Sequence, residues 1–462
     1  MKLSIKEMVE ATKGNIIKGD RKDIIYGIST DSRSIKDKEL FIPLIGESFN
    51  GHDFIEKAIK NGANAVLVHE EYEGALYEEQ GLSIIRVKDT LKALQDLAKY
   101  YVSKFPIPII GVTGSTGKTS TKEIIYSVLS KKYRVLKNKG NFNNHIGLPL
   151  TVFELESHHE MAILEMGMSG FGEIDLLADI VKPNVAVITN IGLSHIEHLG
   201  SQENILKAKM EITNYFNEKS ILIANGDDPH LKTLKDKDVD YRKCFIGLEK
   251  NCNYQGVQIN DLGEEGIHFH VKMNDKIYPF TLKVPGEHNI YNALCAIAIG
   301  CKFNMDIASI QKGIKEFEGS KMRMHIFTTP EKIKVINDAY NASPDSMGAA
   351  IHVLSKMDYR KIAVLGDMLE MGEYSKDGHC HVGREVGKKS IDILIAVGIN
   401  ANVIAKGAIE NKLNEEKVYV CKDNKEAIEI LKNILKREDV VLIKGSRGMR
   451  MEEIVHYIQE RS

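Results

Sequence analysis

A short apolar run opens into a glycine-rich loop, and the loop opens into an amphipathic helix. Ile109-Ile110 lead into Gly111-Val112-Thr113-Gly114-Ser115-Thr116-Gly117-Lys118-Thr119-Ser120, after which Ile124, Ile125, Val128 and Leu129 recur on one helical face. No other segment restricts the fold as much. A strand feeding straight into a helix is the first half of a parallel βαβ unit. Its glycines let backbone N–H groups converge on an anion at the helix N-terminus. Lys118 adds charge for phosphate oxygens, and Thr119 is placed to ligate Mg²⁺. The spacing departs from a strict G-x-x-x-x-G-K-[ST] pattern, because Val112 stands where the first glycine would, with glycines at 111 and 114 instead. The segment reads as a nucleotide site in an α/β protein.

The rest of the chain repeats the theme. Met161-Ala162-Ile163-Leu164, Val185-Ala186-Val187-Ile188 and Ser220-Ile221-Leu222-Ile223 are strand-length apolar runs after the loop, with helix-like stretches between several of them. This alternation predicts a largely parallel sheet with helices on its faces. An Ala-rich helix is expected over 289–301. A second α/β set follows, with strands at Lys334-Val335-Ile336, Ile362-Ala363-Val364-Leu365, Ile391 to Ala396 and Val440-Val441-Leu442-Ile443, and helices over 346–357, 379–389 and 425–435. Before the loop, a smaller mixed region shows helical spacing of Phe54, Ile55, Ala58 and Ile59, then a strand at Ala65-Val66-Leu67. A helix over 91–101 ends at Phe105-Pro106-Ile107-Pro108, where two prolines mark a linker. With 462 residues, about three domains are expected. The reading places them at 1–105, 106–319 and 320–462.

Composition narrows the partners. Sixty-two basic and 64 acidic residues leave a formal charge of −2, so bulk attraction to nucleic acid is not expected. No apolar run approaches the roughly 20 residues of a membrane span. Glu7 and Glu10 stand where a signal peptide would be apolar. The six cysteines are scattered, with no Cys-x-x-Cys, and read as reduced thiols of a cytoplasmic protein.

In an open parallel sheet, ligands bind beyond the carboxyl ends of the strands. The run 161–164 ends on Glu165, and 185–188 leads to Asn190 and His195. If both strands neighbour the loop strand, Glu165 and His195 share a crevice with Lys118, where a carboxylate would hold the Mg²⁺ of a nucleotide. The alternative for Glu165 is a solvated loop carboxylate. His195-Ile196-Glu197-His198 lacks the i, i+4 histidine pair of a zinc helix. His379 and His381 flank Cys380 in an expected helix and read as structural. Lys207 and Lys209, on residue physics alone, read as a solvated helix face.

Taken together the motifs resemble the Mur ligases. The resemblance rests on Gly114 to Ser120, Asn143-Asn144-His145-Ile146-Gly147, Glu165-Met166-Gly167, Asn190-Ile191-Gly192-x-x-His195, Ala208-Lys209, Asn225-Gly226-Asp227-Asp228-Pro229 and Gly286-Glu287-His288-Asn289-x-x-Asn292. Asp338-Ala339-Tyr340-Asn341-Ala342-Ser343-Pro344-Asp345-Ser346, Leu365 to Glu373 and Lys444-Gly445-Ser446-Arg447-Gly448-Met449-Arg450 resemble the members that act on D-alanyl-D-alanine. Ser29-Thr30-Asp31-Ser32-Arg33 and Asn50-Gly51-His52-Asp53-Phe54 resemble the family's nucleotide-sugar region. The likeness runs from about position 28 to 454. Asn50 and His145 depart from the acidic residues commoner at their positions.

The resemblance implies a fold, a reaction and roles. The fold is a small mixed α/β N-terminal domain for the UDP-sugar, a central P-loop ATPase domain with a mostly parallel sheet, and a C-terminal Rossmann-like domain for the dipeptide and for closure. The reaction is ATP-dependent addition of D-alanyl-D-alanine to UDP-N-acetylmuramoyl-tripeptide through an acyl phosphate, in a cytoplasmic monomer. Gly114, Ser115, Thr116, Gly117, Lys118, Thr119 and Ser120 would cradle the ATP phosphates. Thr119 and Glu165 would hold one Mg²⁺, His195 would serve a second, and Lys209 would be the carbamylated lysine that helps hold metal. His288, Asn289 and Asn292 would lie on the adenine side, with Arg323 and Asp338 toward phosphate and ribose. Ser29, Thr30, Asp31, Ser32, Arg33 and Asn144 would meet the sugar-nucleotide substrate, although Asp31 and Arg33 also read as an ordinary surface ion pair. Asn341, Ala342, Ser343, Lys444 and Arg447 are candidates for the dipeptide, with structural roles in strand-to-loop turns as the alternative. Two rivals remain on sequence grounds: another amide ligase with the same ATPase core, such as a folylpolyglutamate synthase, and a nucleotide-dependent switch without ligase chemistry.

Overall fold

A computed structural model of the chain describes residues 1–74 and 81–461. The phosphate-loop strand, Ile109–Thr113, lies inside a nine-stranded sheet and is buried at every residue. Its neighbours are Val185–Ile188 on one side and Met161–Glu165 on the other, both parallel to it. Val135–Lys137 closes that edge, and Ile221–Asn225, Arg242–Gly247 and Tyr254–Asp261 extend the other in parallel. The apolar runs are continuous because both sheet faces are covered. Alternate residues turn to opposite sides: Ile110, Val112, Ile163 and Val187 join one core, while Ile109, Leu164, Ala186 and Ile188 join the other. Burying each such side chain contributes about 1.5–3 kcal/mol.

On the first of these faces the loop helix, Lys118–Leu129, packs against the Ala-rich helix His288–Lys302. The other face carries the N-terminal region. There the helix Thr90–Val102, capped by Asp89, lies against central elements, its Tyr101 hydroxyl donating to the Leu155 carbonyl at 2.7 Å. Lys99 pairs with Asp179 at 2.7 Å across the same contact. That region has a five-stranded sheet in the order Asn15–Lys18, Ser83–Val87, Ala63–His69, Glu39–Phe41 and Gly27–Ser29, parallel except at the Asn15–Lys18 edge. The helical spacing after Asp53 resolves into a short 3₁₀ turn, Gly51–Phe54, followed by Ile55–Lys60.

The third sheet has six strands, in the order His325–Thr328, Lys334–Asp338, Val440–Lys444, Lys361–Gly366, Ile393–Val397 and Val418–Cys421. Only the His325–Thr328 edge is antiparallel. Pro344–Ser355, Ser375–Lys388 and Asn424–Ile434 are the expected helices, the second beginning four residues before the reading placed it.

One part of the central sheet lies outside the expectation of parallel alternation. Ile267–Met273 and Lys276–Leu282 form an antiparallel hairpin that continues the sheet beyond Tyr254–Asp261. No described helix is long and apolar enough to cross a membrane, and all six cysteines are free.

Candidate functional site

Strand order brings the chemistry together. Because Met161–Glu165 and Val185–Ile188 flank Ile109–Thr113, their carboxyl ends open beside the glycine loop. The loop is held in shape from one side by the segment after Ile188. Thr189 Oγ1 donates to the Thr116 carbonyl at 2.6 Å, and Asn190 both accepts from Thr116 N–H at 2.9 Å and donates to Thr116 Oγ1 at 2.6 Å. Ser115 Oγ accepts from Gly192 N–H at 2.9 Å. Such close bracing requires glycine at 114: with φ at +148°, a Cβ there would stand 1.8 Å from Thr189 Oγ1. Gly117, at φ +79°, turns the chain into the helix, whose first-turn N–H groups face the loop's concavity.

The Lys118 ammonium lies in the mouth of the loop, donating to the carbonyls of Gly114 and Ser115 at 2.8 and 3.3 Å. Burial pulls it below the usual lysine range, against the opposing attraction of Glu165. Glu165 is no solvated loop residue. It ends its strand at 1% exposure, and its two carboxylate oxygens are shared out. Thr119 Oγ1 donates to Oε2 and Asn143 Nδ2 donates to Oε1, each at 2.8 Å. Asn138 clamps the Glu165 backbone on both sides, accepting from its N–H and donating to its carbonyl at 3.0 Å each.

His195 follows at φ +63°, a left-handed conformation that a non-glycine residue holds only when its surroundings enforce it. Its Nδ1 lies 2.6 Å from Glu370 Oε2, which comes from the loop after Lys361–Gly366 in the third sheet. Burial, and then the charge of Lys118, lower the imidazole pKa, favouring the neutral form that can ligate a metal. Lys209, a solvated lysine on residue physics alone but the carbamylated lysine by resemblance, is 1% exposed on the helix Gln202–Met210, whereas Lys207 is exposed. Burial first and the like charge of Lys118 second push its amine well below the usual range.

These groups open onto a cavity of about 520 Å³ between the central and third sheets. Ser115, Thr116, Gly117, Lys118 and Ser120 line it, together with Asn144, Glu165 and His195. His288, Asn289 and Asn292 form a second wall. Burial lowers the His288 pKa to about 4. The Asn289 and Asn292 amides are engaged within the protein. Thr121 Oγ1 donates to Asn292 Oδ1 at 2.8 Å, Asn292 Nδ2 to Asn289 Oδ1 at 2.9 Å, and Asn289 Nδ2 to the Pro285 carbonyl at 2.8 Å.

From the third sheet, Arg323, Asp338, Asn341, Ala342, Ser343 and Lys444 line the opposite wall. The Arg323 guanidinium lies 4.0 Å from the centre of the Tyr340 ring. Lys444 is turned onto Asp338 Oδ2 at 2.6 Å and the Asn341 carbonyl at 2.9 Å, with both partners of the ion pair buried. Gly114, Thr119 and Lys209 are not among the residues that line the cavity, and Lys209 is buried. Arg447 lies off the cavity, paired with Glu452 at 2.9 Å. Ser29, at the end of the N-terminal edge strand, and Thr30, Asp31, Ser32 and Arg33 in the turn after it are also outside the cavity. There Arg33 and Asp31 form an exposed two-pronged pair that holds the Asp31 carboxyl at about 2. Asn144 Oδ1 accepts from Gly147 N–H at 2.8 Å, starting the helix Gly147–Val152.

The donors around Glu165 suit Mg²⁺. They are a carboxylate and a hydroxyl, and the described residues contain no cluster of three His, Cys, Asp or Glu able to cage an ion. A site of this kind leaves most of the coordination sphere to water and phosphate oxygens, as Mg²⁺ prefers. Lys122, Asn138, Asn143 and Glu370 are the residues of this site that sequence reasoning did not single out. Asn143 and Glu370 stand inside quoted motifs, whereas nothing in local sequence marks Lys122 and Asn138.

Comparison with known proteins matches most of the chain. Residues 24–102 match the family described as "Mur ligase family, catalytic domain", 112–300 "Mur ligase middle domain", and 322–447 "Mur ligase, glutamate ligase domain". The chain is 40% identical to the UDP-N-acetylmuramoyl-tripeptide–D-alanyl-D-alanine ligase of Bacillus subtilis over 98% of both chains. Among solved structures, a MurF from Acinetobacter baumannii superposes with a TM-score of 0.90 at 29% identity, covering 100% of this chain and 99% of that one. The MurF ligase of Thermotoga maritima in complex with ADP gives 0.81 at 28% identity, covering 94% and 97%.

Proposed function

Because this chain belongs to the Mur ligase family, we propose that it is the ligase that joins D-alanyl-D-alanine to the terminal carboxylate of UDP-N-acetylmuramoyl-tripeptide, using ATP. The observation that carries the reading is the meeting of Lys118 with Glu165, which Thr119 holds by a hydrogen bond, in one cavity with Arg323 and Asp338 from the other sheet. A carboxylate and an amine do not condense unaided. The peptide carboxylate attacks the γ-phosphorus of ATP, ADP leaves, and an acyl phosphate forms. The dipeptide amine then attacks the acyl carbon and loses a proton, and the tetrahedral intermediate expels phosphate. The first step brings two anions together, so positive charge and positioning are what the site must supply.

Lys118 and the loop N–H groups take the β- and γ-phosphates. Glu165 and Thr119 would hold one Mg²⁺ and His195 would serve a second, and the ions would offset phosphate charge. Lys209 is the carbamylation site: a buried amine driven off its charge is the nucleophile that CO₂ captures, releasing a proton and leaving an anion toward the metal. His288 packs on the adenine side, with Asn289 and Asn292 bracing that wall. Arg323 reaches the phosphates, and Lys444 holds Asp338 for the ribose. Ser29, Thr30, Asp31, Ser32 and Arg33 receive the sugar nucleotide, and Asn144 its peptide side. Asn341, Ala342 and Ser343 receive the dipeptide, with Arg447 near its carboxylate once freed from Glu452. Residues 1–105, 106–319 and 320–462 are then the sugar-nucleotide, ATP and dipeptide domains of a cytoplasmic monomer.

The test is phosphate release from Mg·ATP with UDP-N-acetylmuramoyl-tripeptide, with and without D-alanyl-D-alanine, followed by product mass. Release that needs both substrates, with the mass of the condensed pentapeptide, is the expected result. Confirmed ATP binding without condensation would move the assignment to another amide acceptor. Turnover indifferent to both substrates would favour a nucleotide switch.

A further inference from the structure

Lys122 has no exposed surface at all, a condition lysine meets only when its charge is answered. It sits on the loop helix one turn beyond Thr119, so the two residues share a helical face. Its ammonium donates to the Asn138 carbonyl at 2.7 Å and lies 3.3 Å from Glu123 Oε1 and 3.8 Å from Glu165 Oε2. Glu123 is held in turn by Lys137. The Asn138 that receives Lys122 is also the residue that clamps the Glu165 backbone through both of its polar atoms. One buried ammonium therefore ties together the loop helix, the segment after Val135–Lys137 and the last residue of Met161–Glu165.

A lysine kept only to fill space would be replaceable by methionine at a lower desolvation cost. The contacts are better matched to holding a carboxylate still. Thr119 and Lys122 approach the same oxygen of Glu165, while Asn143 takes the other. Glu123 lies closer to the ammonium than Glu165 does, and offsets its charge toward an incoming dication. We propose that Lys122 is a positioning residue for the divalent cation, fixing the Glu165 carboxylate, directly and through Asn138, in the orientation that receives the ion. This rests on the assignment of Glu165 as the metal-holding carboxylate.

The probe is Mn²⁺, with free ion counted by electron paramagnetic resonance on the full chain in saturating ADP. The parent chain should show a site that Glu165→Gln loses. The decisive variant is Lys122→Met with Glu123→Gln, which removes one charge of each sign and leaves the net charge unchanged. It should bind Mn²⁺ about tenfold or more weakly, the usual loss when a residue supporting a metal ligand is removed, while metal-free ADP binding stays as in the parent. A folded double variant with parental Mn²⁺ affinity overturns the inference. If that variant does not fold, Lys122→Arg serves: its planar fork cannot repeat the single donor in a closed slot, and undiminished Mn²⁺ affinity again overturns it. A parent chain without a Glu165-dependent site sinks the metal assignment itself, and the inference with it. A parental site that survives loss of Lys122 sinks the inference alone.

Discussion

Gly114→Ala tests the shape of the phosphate loop with one added methyl. The new Cβ would stand 1.8 Å from Thr189 Oγ1, well inside any contact distance. Thr189 cannot simply turn away, because that oxygen holds the Thr116 carbonyl at 2.6 Å. Losing the hydrogen bond costs about 1 kcal/mol, and holding alanine at φ +148° costs about 1–3 kcal/mol more. The loop can escape the total, about 2–4 kcal/mol, only by leaving its phosphate-binding shape. The penalty should therefore appear as lost nucleotide affinity, roughly 30- to 900-fold for ADP. Calorimetric titration of ADP in the presence of Mg²⁺ measures it. The structure also dictates how the effect couples to Thr189. Thr189→Ala removes Oγ1 but leaves its Cβ at 3.0 Å and backbone nitrogen at 3.1 Å from the added methyl. Rescue should be partial, and Gly114→Ala should cost less in that background than in the parent. ADP binding by Gly114→Ala within about threefold of the parent, or strictly additive effects in the double variant, would refute the reasoning.

Lys444→Met should strand the buried Asp338 charge and destabilise the third-sheet unit by about 3–5 kcal/mol. Its denaturant midpoint should fall and then recover in Lys444→Met with Asp338→Asn; an unchanged midpoint in the single variant counts against the pair. Burial holds His288 at about 4 against an ordinary 6.5, so between these values the unfolded chain binds a proton that the folded chain refuses. The stability it contributes is full above pH 6.5 and is lost as pH falls toward 4, at up to about 1.4 kcal/mol per pH unit. Urea unfolding of His288→Gln should show a shallower acid limb than the parent, and equal slopes would dismiss the effect. Lys209→Ala should lose ligase activity and regain part of it with formate or acetate, and turnover by the parent should drop in CO₂-depleted buffer. Activity of the alanine variant that ignores added carboxylate would exclude the carbamate.

What could be read from sequence follows from where the information lies. Val185–Ile188 and Met161–Glu165 were legible because strands covered on both faces are apolar at every position, and length separates them from helices. The hairpin Ile267–Met273 and Lys276–Leu282 was not read, although the first strand carries a clear signal. Ile267, Phe269, Val271 and Met273 are buried, with His268 and Lys272 exposed between them. Its period of two belongs to a strand with one face turned to solvent, unlike the continuous apolar runs of the doubly covered strands. The lysines failed for a different reason. Lys122 and Lys209 sit on helices where a lysine ordinarily faces water. Lys122 is enclosed by Asn138 and Glu165 from other segments, and no local pattern encodes the burial of either lysine. Family resemblance raised Lys209 above that background, and only the packing raised Lys122. Glu370 reaches His195 from a different sheet, so its role could not be inferred from either segment alone.

Lys118 and Lys209 show how one carboxylate bears on the charges of the site. Lys118 and Lys209 are both pushed downward by burial, and the charge of Lys118 lowers Lys209 further. Two like charges in a closed space are unstable unless a counter-charge favours one of them. Glu165 acts on Lys118 and has no such effect on Lys209. Glu165 therefore supports the Lys118 ammonium that the phosphates require, whereas burial and the Lys118 charge both act against an ammonium at Lys209. A neutral amine is the only form of lysine that can add CO₂, so the division of charge precedes any modification. The carboxylate at the end of Met161–Glu165 thus has two consequences from one position: it accepts from the loop threonine, and it supports the Lys118 ammonium, whose charge in turn lowers the pKa of Lys209. Anything that displaces Glu165 should disturb both at once.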